Sequence, residues 1–172
     1  IAERRMTQTL LIPDWPPAKS GIRFALHPDG NIAATSTNAN GTIMLWNLAA
    51  GQEIRALRGH SQTILSLDFS PDGTLLASGS EDNTVKLWQV ADGRELATLK
   101  AHANDVRGVA FSRDGLMLAS GGLDGRLAFR NVREACHVDL DELLAQGCGW
   151  LRSYLAHHPD VPKEERDLCD EN

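Results

Sequence analysis

Residues 59–90 read GHSQTILSLDFSPDGTLLASGSEDNTVKLWQV. Short alternating segments at 64–69, 74–80 and 84–90 are typical of β-strands. The turn Pro71-Asp72-Gly73 lies between the first two and predicts a type I hairpin whose glycine takes a positive φ. A further strand is predicted at 94–99. This stretch therefore indicates a unit of four antiparallel strands.

The same unit recurs along the chain with a period of about 42 residues, the length of a four-stranded propeller blade. A hairpin turn, a serine, an Asp or Asn, a tryptophan and a histidine mark the period. These markers are Pro28-Asp29-Gly30, Pro71-Asp72-Gly73 and Arg113-Asp114-Gly115; Ser36, Ser78 and Ser120; Asn40, Asp82 and Asp124; Trp46 and Trp88, with Arg130 in the third position; and His60 with His102. We predict three repeats, at 20–58, 59–100 and 101–138, with outer strands at 52–57 in the first and 133–140 in the third.

Several motifs of the second repeat resemble the WD-repeat (Trp-Asp repeat) β-propeller family. They are Gly59-His60, the runs LASGS (76–80) and VKLW (85–88), and Asp82. The aspartate that completes the family's name is replaced in all three repeats, by Asn47, Gln89 and Asn131. The resemblance covers about residues 20–140 and implies an all-β fold, a propeller segment of three four-stranded antiparallel blades.

Three blades are fewer than the ~4 to 8 of a closed propeller, and they would leave open sheet edges at both ends. We expect the missing blades to come from residues before Ile1 or from a second copy of the chain. Within an N-terminal strand and linker at 1–19, residues 6–12 are predicted to form a spare outer strand.

The resemblance also implies that four residues of the second repeat, His60, Ser78, Asp82 and Trp88, form a buried structural network. The first three also admit a hydrolase hypothesis, with Ser78 as nucleophile, His60 as base and Asp82 as the group that orients it. We favour the structural interpretation, because buried polar groups of this kind must be paired. The other repeats keep part of the network: Ser36, Asn40 and Trp46 in the first, and His102, Ser120 and Asp124 in the third.

In families of this type, the third and fifth residues after the blade histidine face the partner, as does the residue before the Asp. By this resemblance the candidate partner-binding residues are Thr63, Leu65, Glu81, Asp105, Arg107 and Leu123, with Ser20, Ile22 and Ala39 in the first repeat. Their mixture of apolar and charged side chains suits a protein or peptide better than a small metabolite. We therefore predict a non-catalytic protein-interaction scaffold or sensor module. The alternative that stays open is a purely architectural segment that closes a longer propeller.

Charge is distributed unevenly along the chain. Residues 1–132 hold 13 acidic and 13 basic side chains and residues 133–172 hold 10 and 4, so the tail carries the whole net charge of −6. The chain has no basic stripe, and we therefore expect no nucleic-acid partner. The sparse, odd cysteine count and the lack of a signal-peptide core predict a cytoplasmic protein that does not enter membranes, cut from a longer chain.

From Asp139 the pattern becomes helical, with apolar residues three and four apart and Asp139 as N-cap. We predict a helical tail at 139–172 that packs on a blade, because its polar face is acidic and therefore unsuited to a membrane surface. Its motifs, among them DELL (141–144) and DLCD (167–170), resemble the C-terminal ends of bacterial, especially cyanobacterial, signalling proteins. In those proteins a WD-repeat array follows a STAND-type nucleotide-switch NTPase.

No catalytic or metal motif is evident. The P-loop pattern G-x-x-x-x-G-K-[ST] does not occur, so we expect no NTPase in this chain and treat it as non-enzymatic. Zinc binding by the tail is disfavoured because the cysteines form no closely spaced pair, and we expect no metal and no cofactor. The tail residues considered as zinc ligands are Cys136, His137, Cys148, His157, His158 and Cys169.

Overall fold

The computed structural model describes residues 22–37 and 41–135, and this part of the chain is all β apart from one helical turn. The strands are β1 (Arg23–Leu26), β2 (Ile32–Thr37), β3 (Thr42–Asn47), β4 (Gln52–Arg58), β5 (Ile64–Phe69), β6 (Leu75–Ser80), β7 (Val85–Gln89), β8 (Glu95–Leu99), β9 (Val106–Phe111), β10 (Met117–Gly122) and β11 (Leu127–Asn131), followed by helix α1 (Val132–Ala135). The all-β prediction is confirmed. The predicted N-terminal strand and helical tail lie outside the described residues.

The strands form three separate antiparallel sheets, each built from consecutive strands. Blade 1 has the order β1-β2-β3-β4, blade 2 has β5-β6-β7-β8, and blade 3 has β9-β10-β11. Each first strand pairs only with the second strand of its own sheet, and the first strands of the three blades lie side by side. This is the arrangement expected of neighbouring propeller blades.

Blade 3 differs from the prediction at its outer edge. A fourth strand was expected over 133–140, but the chain turns into α1 directly after β11. The Asn131 side chain accepts a hydrogen bond from the backbone N–H of Arg133, at 3.0 Å, and so caps the first turn of this helix. Val132 is buried against the neighbouring blade. The prediction of a strand beginning at Arg133 is therefore wrong, and residues 136–140 lie outside the described residues.

The hairpin between the first two strands has the same turn in every blade. Gly30, Gly73 and Gly115 have φ values of 74°, 74° and 72°, which confirms the prediction that these glycines take a positive φ. In blade 2 the Gly73 N–H donates to the Ser70 carbonyl at 2.8 Å, closing the turn. Equivalent positions in the second strands of the three blades can therefore be found by counting from this turn.

Apolar side chains fill the spaces between the blades. The core between blades 1 and 2 contains Leu45, Leu67 and Phe69, and the core between blades 2 and 3 contains Leu87 and Val106. Blade 2 thus buries both faces of its sheet, since it has a neighbour on each side.

Hydrogen bonds also cross between the blades at their first strands. Arg23 Nε donates to the Leu65 carbonyl at 2.8 Å. On the other side of blade 2, the backbone N–H of Phe111 donates to Asp68 Oδ2 at 2.7 Å and that of Val109 donates to Ser66 Oγ at 3.1 Å. Burial raises the pKa of the Asp68 carboxyl above its ordinary value. These contacts hold β1 against β5 and β9 against β5.

Candidate functional site

The structure brings His60, Ser78, Asp82 and Trp88 together in blade 2. His60 precedes β5, Ser78 lies in β6, Asp82 lies in the following loop and Trp88 lies in β7. His60 Nδ1 is 2.7 Å from Asp82 Oδ2, and His60 Nε2 is 2.8 Å from Ser78 Oγ. The indole Nε1–H of Trp88 donates to the same Ser78 oxygen at 2.8 Å. The four side chains therefore link both strands of the central hairpin to the loops at one edge of the sheet.

One arrangement of protons satisfies every member of this network. Trp88 donates to Ser78, the Ser78 hydroxyl donates to His60 Nε2, and His60 Nδ1–H donates to the Asp82 carboxylate. That arrangement requires a neutral imidazole and an ionised carboxylate. Burial lowers the pKa of His60 below its ordinary value, although the Asp82 carboxylate opposes this shift.

Asp82 is the anchor of the loop that follows β6. It also accepts hydrogen bonds from the backbone N–H groups of Ser61 and Thr84, both at 3.0 Å, and from Thr84 Oγ1 at 2.6 Å. Burial acts to raise the pKa of Asp82, but the hydrogen bonds from Thr84 and His60 outweigh it, so this pKa lies below its ordinary value. Thr84 was not singled out from the sequence, although its position two residues after the Asp is typical of an Asx turn.

The same geometry argues against nucleophilic catalysis at Ser78. Its side chain is completely buried, and its oxygen is engaged by Trp88 on one side and His60 on the other. A nucleophile must approach a substrate carbonyl, and this hydroxyl lies inside the sheet packing without solvent access. The distances between these three groups therefore describe a buried polar network.

Blade 3 repeats most of this network. His102 Nδ1 is 3.1 Å from Asp124 Oδ1, and His102 Nε2 is 2.9 Å from Ser120 Oγ. The backbone N–H of Ala103 donates to the Asp124 carboxylate and, with smaller contributions from His102, lowers the pKa of Asp124 to about 2 against the opposing effect of burial. Arg130 occupies the tryptophan position and is exposed to solvent.

The structure corrects one residue of the polar network predicted for blade 1. The Trp46 indole Nε1–H donates to Thr35 Oγ1 at 2.8 Å, whereas Ser36 Oγ lies 3.5 Å from the Ile64 carbonyl of the next blade. Thr35, and not Ser36, therefore stands where Ser78 stands in blade 2. Between the equivalent ladder pairs Ser36–Ile43 and Gly79–Val85, the connection from β2 to β3 is one residue longer than that from β6 to β7. Counting back 42 residues from Ser78 therefore arrives one residue too late.

The sequence contained a signal for this position. Thr35, Ser78 and Ser120 each follow the first residue of the hairpin turn by seven positions. Counting from the turn avoids the longer loop, and it identifies Thr35 directly. Asn40, the third predicted member in this repeat, lies outside the described residues.

The candidate partner-binding residues meet in pairs at the edge of the sheets where the networks lie. The Glu81 backbone N–H donates to the Thr63 carbonyl, and the Leu123 N–H donates to the Asp105 carbonyl, both at 2.9 Å. Arg107 Nη2 lies 3.1 Å from Asp105 Oδ2, which forms an ion pair beside Leu123. We call Asp105, Arg107 and Leu123 the blade 3 face.

Leu65 does not belong to an exposed surface, contrary to the prediction. It lies at a β-bulge in β5 and is only 8% exposed, whereas Leu123 is 54% exposed. Arg23 of blade 1 donates to its carbonyl, so the neighbouring blade packs against it. A bulge re-aims the extra residue relative to the ladder, which simple counting from His60 does not capture. Ile22 is exposed, and Ser20 and Ala39 lie outside the described residues.

Neither a metal cluster nor a membrane span occurs in the residues that the structure covers. Across 22–37 and 41–135, no group of three or more His, Cys, Asp or Glu side chains is arranged to hold a metal ion. In the same residues no helix is long and apolar enough to cross a membrane. The cysteines weighed as zinc ligands lie outside this part of the chain.

Comparison with known families agrees with the blade pattern. The model of the family described as "WD domain, G-beta repeat" matches residues 17–47, 51–89 and 93–129, which is more than half of the chain. The chain belongs to the WD40 family. WD40 repeats are generally non-catalytic and act as protein-interaction scaffolds.

Individual WD40 relatives match shorter stretches. The chain is 37% identical over 68 residues to a Periodic tryptophan protein 2 homolog from Schizosaccharomyces pombe, a match that covers 38% of this chain and 8% of that protein. It is 41% identical over 61 residues to Coronin-7 from Rattus norvegicus, covering 36% of this chain and 6% of that protein. A third relative, Protein SPA1-RELATED 4 from Arabidopsis thaliana, is 37% identical over 64 residues, a match that covers 37% of this chain and 8% of that protein. The chain thus spans less than a tenth of the curated relatives it matches.

Proposed function

We propose that this chain is the protein-binding part of a larger signalling protein, and that it holds its partner on the blade 3 face. The observation that carries the proposal is the exposure of Leu123, 54%, directly beside the Asp105–Arg107 ion pair. An apolar contact surrounded by charges matches the anatomy of a protein interface, in which an apolar centre lies within a polar rim. The partner is therefore expected to offer an apolar anchor side chain flanked by charges.

The buried networks support this role by holding the loops that present the face. Leu123 immediately precedes Asp124, whose carboxylate accepts hydrogen bonds from the backbone N–H groups of Ala103 and Arg126 at 3.0 and 3.1 Å. The same relation joins Glu81 to Asp82 in blade 2. A loop held in this way loses little conformational entropy on binding, which favours affinity. We assign His60, Ser78, Asp82 and Trp88 this structural role and no catalytic one.

Charge reversal within blade 3 tests the proposed face. Peptides selected by display against the wild-type chain are measured against Arg107→Glu, against Leu123→Glu, and against the control Arg113→Glu. Arg113 is exposed in the same blade but lies in the hairpin turn at the other end of the sheet. We expect each face substitution to weaken binding by at least about tenfold, the effect of roughly one hot-spot contact, and the control to bind normally. Equal binding by all four proteins would place the partner elsewhere.

The signalling context and the cytoplasmic location are part of the same proposal. They rest on the tail motifs that resemble STAND-linked WD-repeat proteins and on the sparse, odd cysteine count. The partner is proposed to be a protein and not a nucleic acid, because the chain has a net charge of −6 and no basic stripe. Fluorescence anisotropy with labelled single- and double-stranded DNA and RNA at low salt tests this directly, and salt-sensitive binding would contradict it.

A further inference from the structure

Arg107 is the more exposed partner of the ion pair in the blade 3 face. Its side chain is 50% exposed, against 23% for Asp105, and its Nη2 donates to Asp105 Oδ2 at 3.1 Å. A guanidinium carries five N–H donors in a rigid planar fork, so it can bind a second acceptor without releasing the first. Asp105 therefore orients a group that can still donate to a ligand.

The backbone beneath this ion pair is itself fixed. The N–H of Asp105 donates to Asn104 Oδ1 at 2.8 Å, and the carbonyl of Asp105 accepts from the N–H of Leu123 at 2.9 Å. Val106, which lies between the two charged residues in the chain, is completely buried. A side chain that is oriented before binding loses less conformational entropy when it binds, which favours affinity.

The exposed apolar side chain of the face is close to the same guanidinium. Because Leu123 is hydrogen-bonded to Asp105, the two backbones are roughly one strand spacing, ~4.8 Å, apart. An extended peptide advances ~3.3 Å per residue. One short extended segment can therefore reach both Leu123 and Arg107 with side chains that are near each other in its sequence.

Glu81 of blade 2 borders this surface across the junction with blade 3. A Cβ added to Gly79 would lie 2.7 Å from the Val106 side chain, so the end of β6 abuts the start of β9. Glu81 follows Gly79 by two residues, and its N–H donates to the Thr63 carbonyl at 2.9 Å. The Glu81 carboxylate repels an acidic group on the blade 2 side of the junction, which restricts such a group to Arg107.

The charge of the chain as a whole does not oppose an acidic partner. Residues 1–132 hold 13 acidic and 13 basic side chains, and the net charge of −6 comes from residues 133–172. The three blades thus belong to a neutral part of the sequence. Short-range contacts with individual charged groups therefore decide which partner this face selects.

We propose that Arg107 determines the specificity of the blade 3 face by binding a carboxylate of the partner, while Leu123 contacts an apolar side chain next to it. This rests on the proposed function, because it names the chemistry of the partner held on that face. Paired hydrogen bonds from a guanidinium to a carboxylate are stronger and more directional than a single neutral one. The partner segment accordingly carries an Asp or Glu within one or two residues of a large apolar residue.

A panel of fluorescein-labelled peptides tests this assignment. Each peptide combines one leucine with Asp, Asn, Glu, Gln or Lys at a neighbouring position, and fluorescence anisotropy measures its affinity for the full chain. The acidic peptides should bind at least about tenfold more tightly than their amide counterparts. Arg107→Gln should abolish that preference, whereas Arg113→Gln, the exposed control in the hairpin turn, should retain it.

Two further variants separate an oriented guanidinium from a general effect of positive charge. Arg107→Lys keeps the charge but loses the planar fork, so it should recover only part of the preference for acidic peptides. Glu81→Gln removes the repelling carboxylate and should bind acidic peptides at least as tightly as the wild type. Far-ultraviolet circular dichroism checks that each variant is folded, and Arg107→Lys is the milder substitution if Arg107→Gln is not.

The outcomes distinguish this inference from the proposed function. If Leu123→Glu weakens peptide binding but Arg107→Gln leaves the preference for acidic peptides unchanged, the face is correct and the role of Arg107 is overturned. A preference for the lysine peptides that Glu81→Gln abolishes also overturns it. If Leu123→Glu has no effect, or no peptide binds, the proposed face itself is contradicted.

Discussion

Substituting His60 by alanine should lower the free energy of unfolding by about 1–3 kcal/mol, because it leaves a buried hydroxyl without its acceptor. The imidazole makes two short contacts, 2.7 Å to Asp82 and 2.8 Å to Ser78. The two partners are not equally affected. Asp82 keeps three further donors, two from Thr84 and one from Ser61, so its carboxylate remains satisfied.

The Ser78 hydroxyl has no such reserve. Its side chain is completely buried, and the remaining contact, from the Trp88 indole, is to its oxygen and not to its proton. The expected loss is therefore set mainly by one unsatisfied buried donor, with the lost packing of the imidazole added to it. Because small domains are stable by only ~5–15 kcal/mol, this is a measurable fraction of the whole.

Urea denaturation followed by tryptophan fluorescence measures the effect. A double-mutant cycle with Ser78→Ala supplies the control, since removing the hydroxyl also removes the donor that His60→Ala leaves unsatisfied. The double variant should be more stable than the sum of the two single losses predicts, by about 1 kcal/mol. A His60→Ala midpoint equal to that of the wild type, or losses that simply add, would refute the reasoning.

Three further expectations concern backbone packing, register and pH. Gly59→Ala should lower the free energy of unfolding by about 1–3 kcal/mol, because an added Cβ would lie 2.9 Å from the Trp88 indole. Gly108→Ala is the control and should lower it far less, because an added Cβ there meets nothing within 4 Å; thermal melts of the two variants measure the difference. Thr35→Val, which leaves the blade 1 indole N–H unpaired, should lose ~1–3 kcal/mol in urea titrations, and Ser36→Ala should lose clearly less, an order that the opposite assignment would reverse. Finally, the pKa of His60 in the folded chain is below its unfolded value near 6.5, so as pH falls the imidazole is protonated in the unfolded chain before it is protonated in the folded one. The urea midpoint of unfolding should therefore fall as pH decreases below about 6.5, and it should depend less steeply on pH in His60→Ala. An identical pH dependence in the two proteins would contradict the neutral imidazole.

Blade 2 was the most predictable part of the fold. The predicted strand at 64–69 coincides with β5, and those at 74–80 and 94–99 begin one residue before β6 and β8. The predicted strand at 84–90 extends one residue beyond β7 at each end. Period-2 alternation and the Pro-Asp-Gly turn are local signals, and in this repeat they agree with the tertiary packing. The residues that form its polar network were also identifiable, because their offsets within the repeat resemble a known family.

The predictions failed where one residue more or less changes the face of a strand. Leu65 was expected at the surface and is buried at a bulge, and Ser36 was expected to face an indole that is in fact paired with Thr35. The strand expected from Arg133 gives way to a capped helical turn. A count at a fixed period of 42 residues passes over all of these features, although the 43-residue spacing of the first two hairpin turns signals the position of Thr35.

The order of residues alone establishes the three repeats, their hairpin turns, the neutral body with its acidic tail, and the family resemblance, since each depends on composition or on local spacing. Which of two neighbouring hydroxyls meets an indole, which apolar residue of an inner strand is covered, and which sheet faces remain open depend on the stacking of the blades. The physical reason is that side chains alternate across a strand, so a single bulge or one extra loop residue moves a side chain to the opposite face of the sheet.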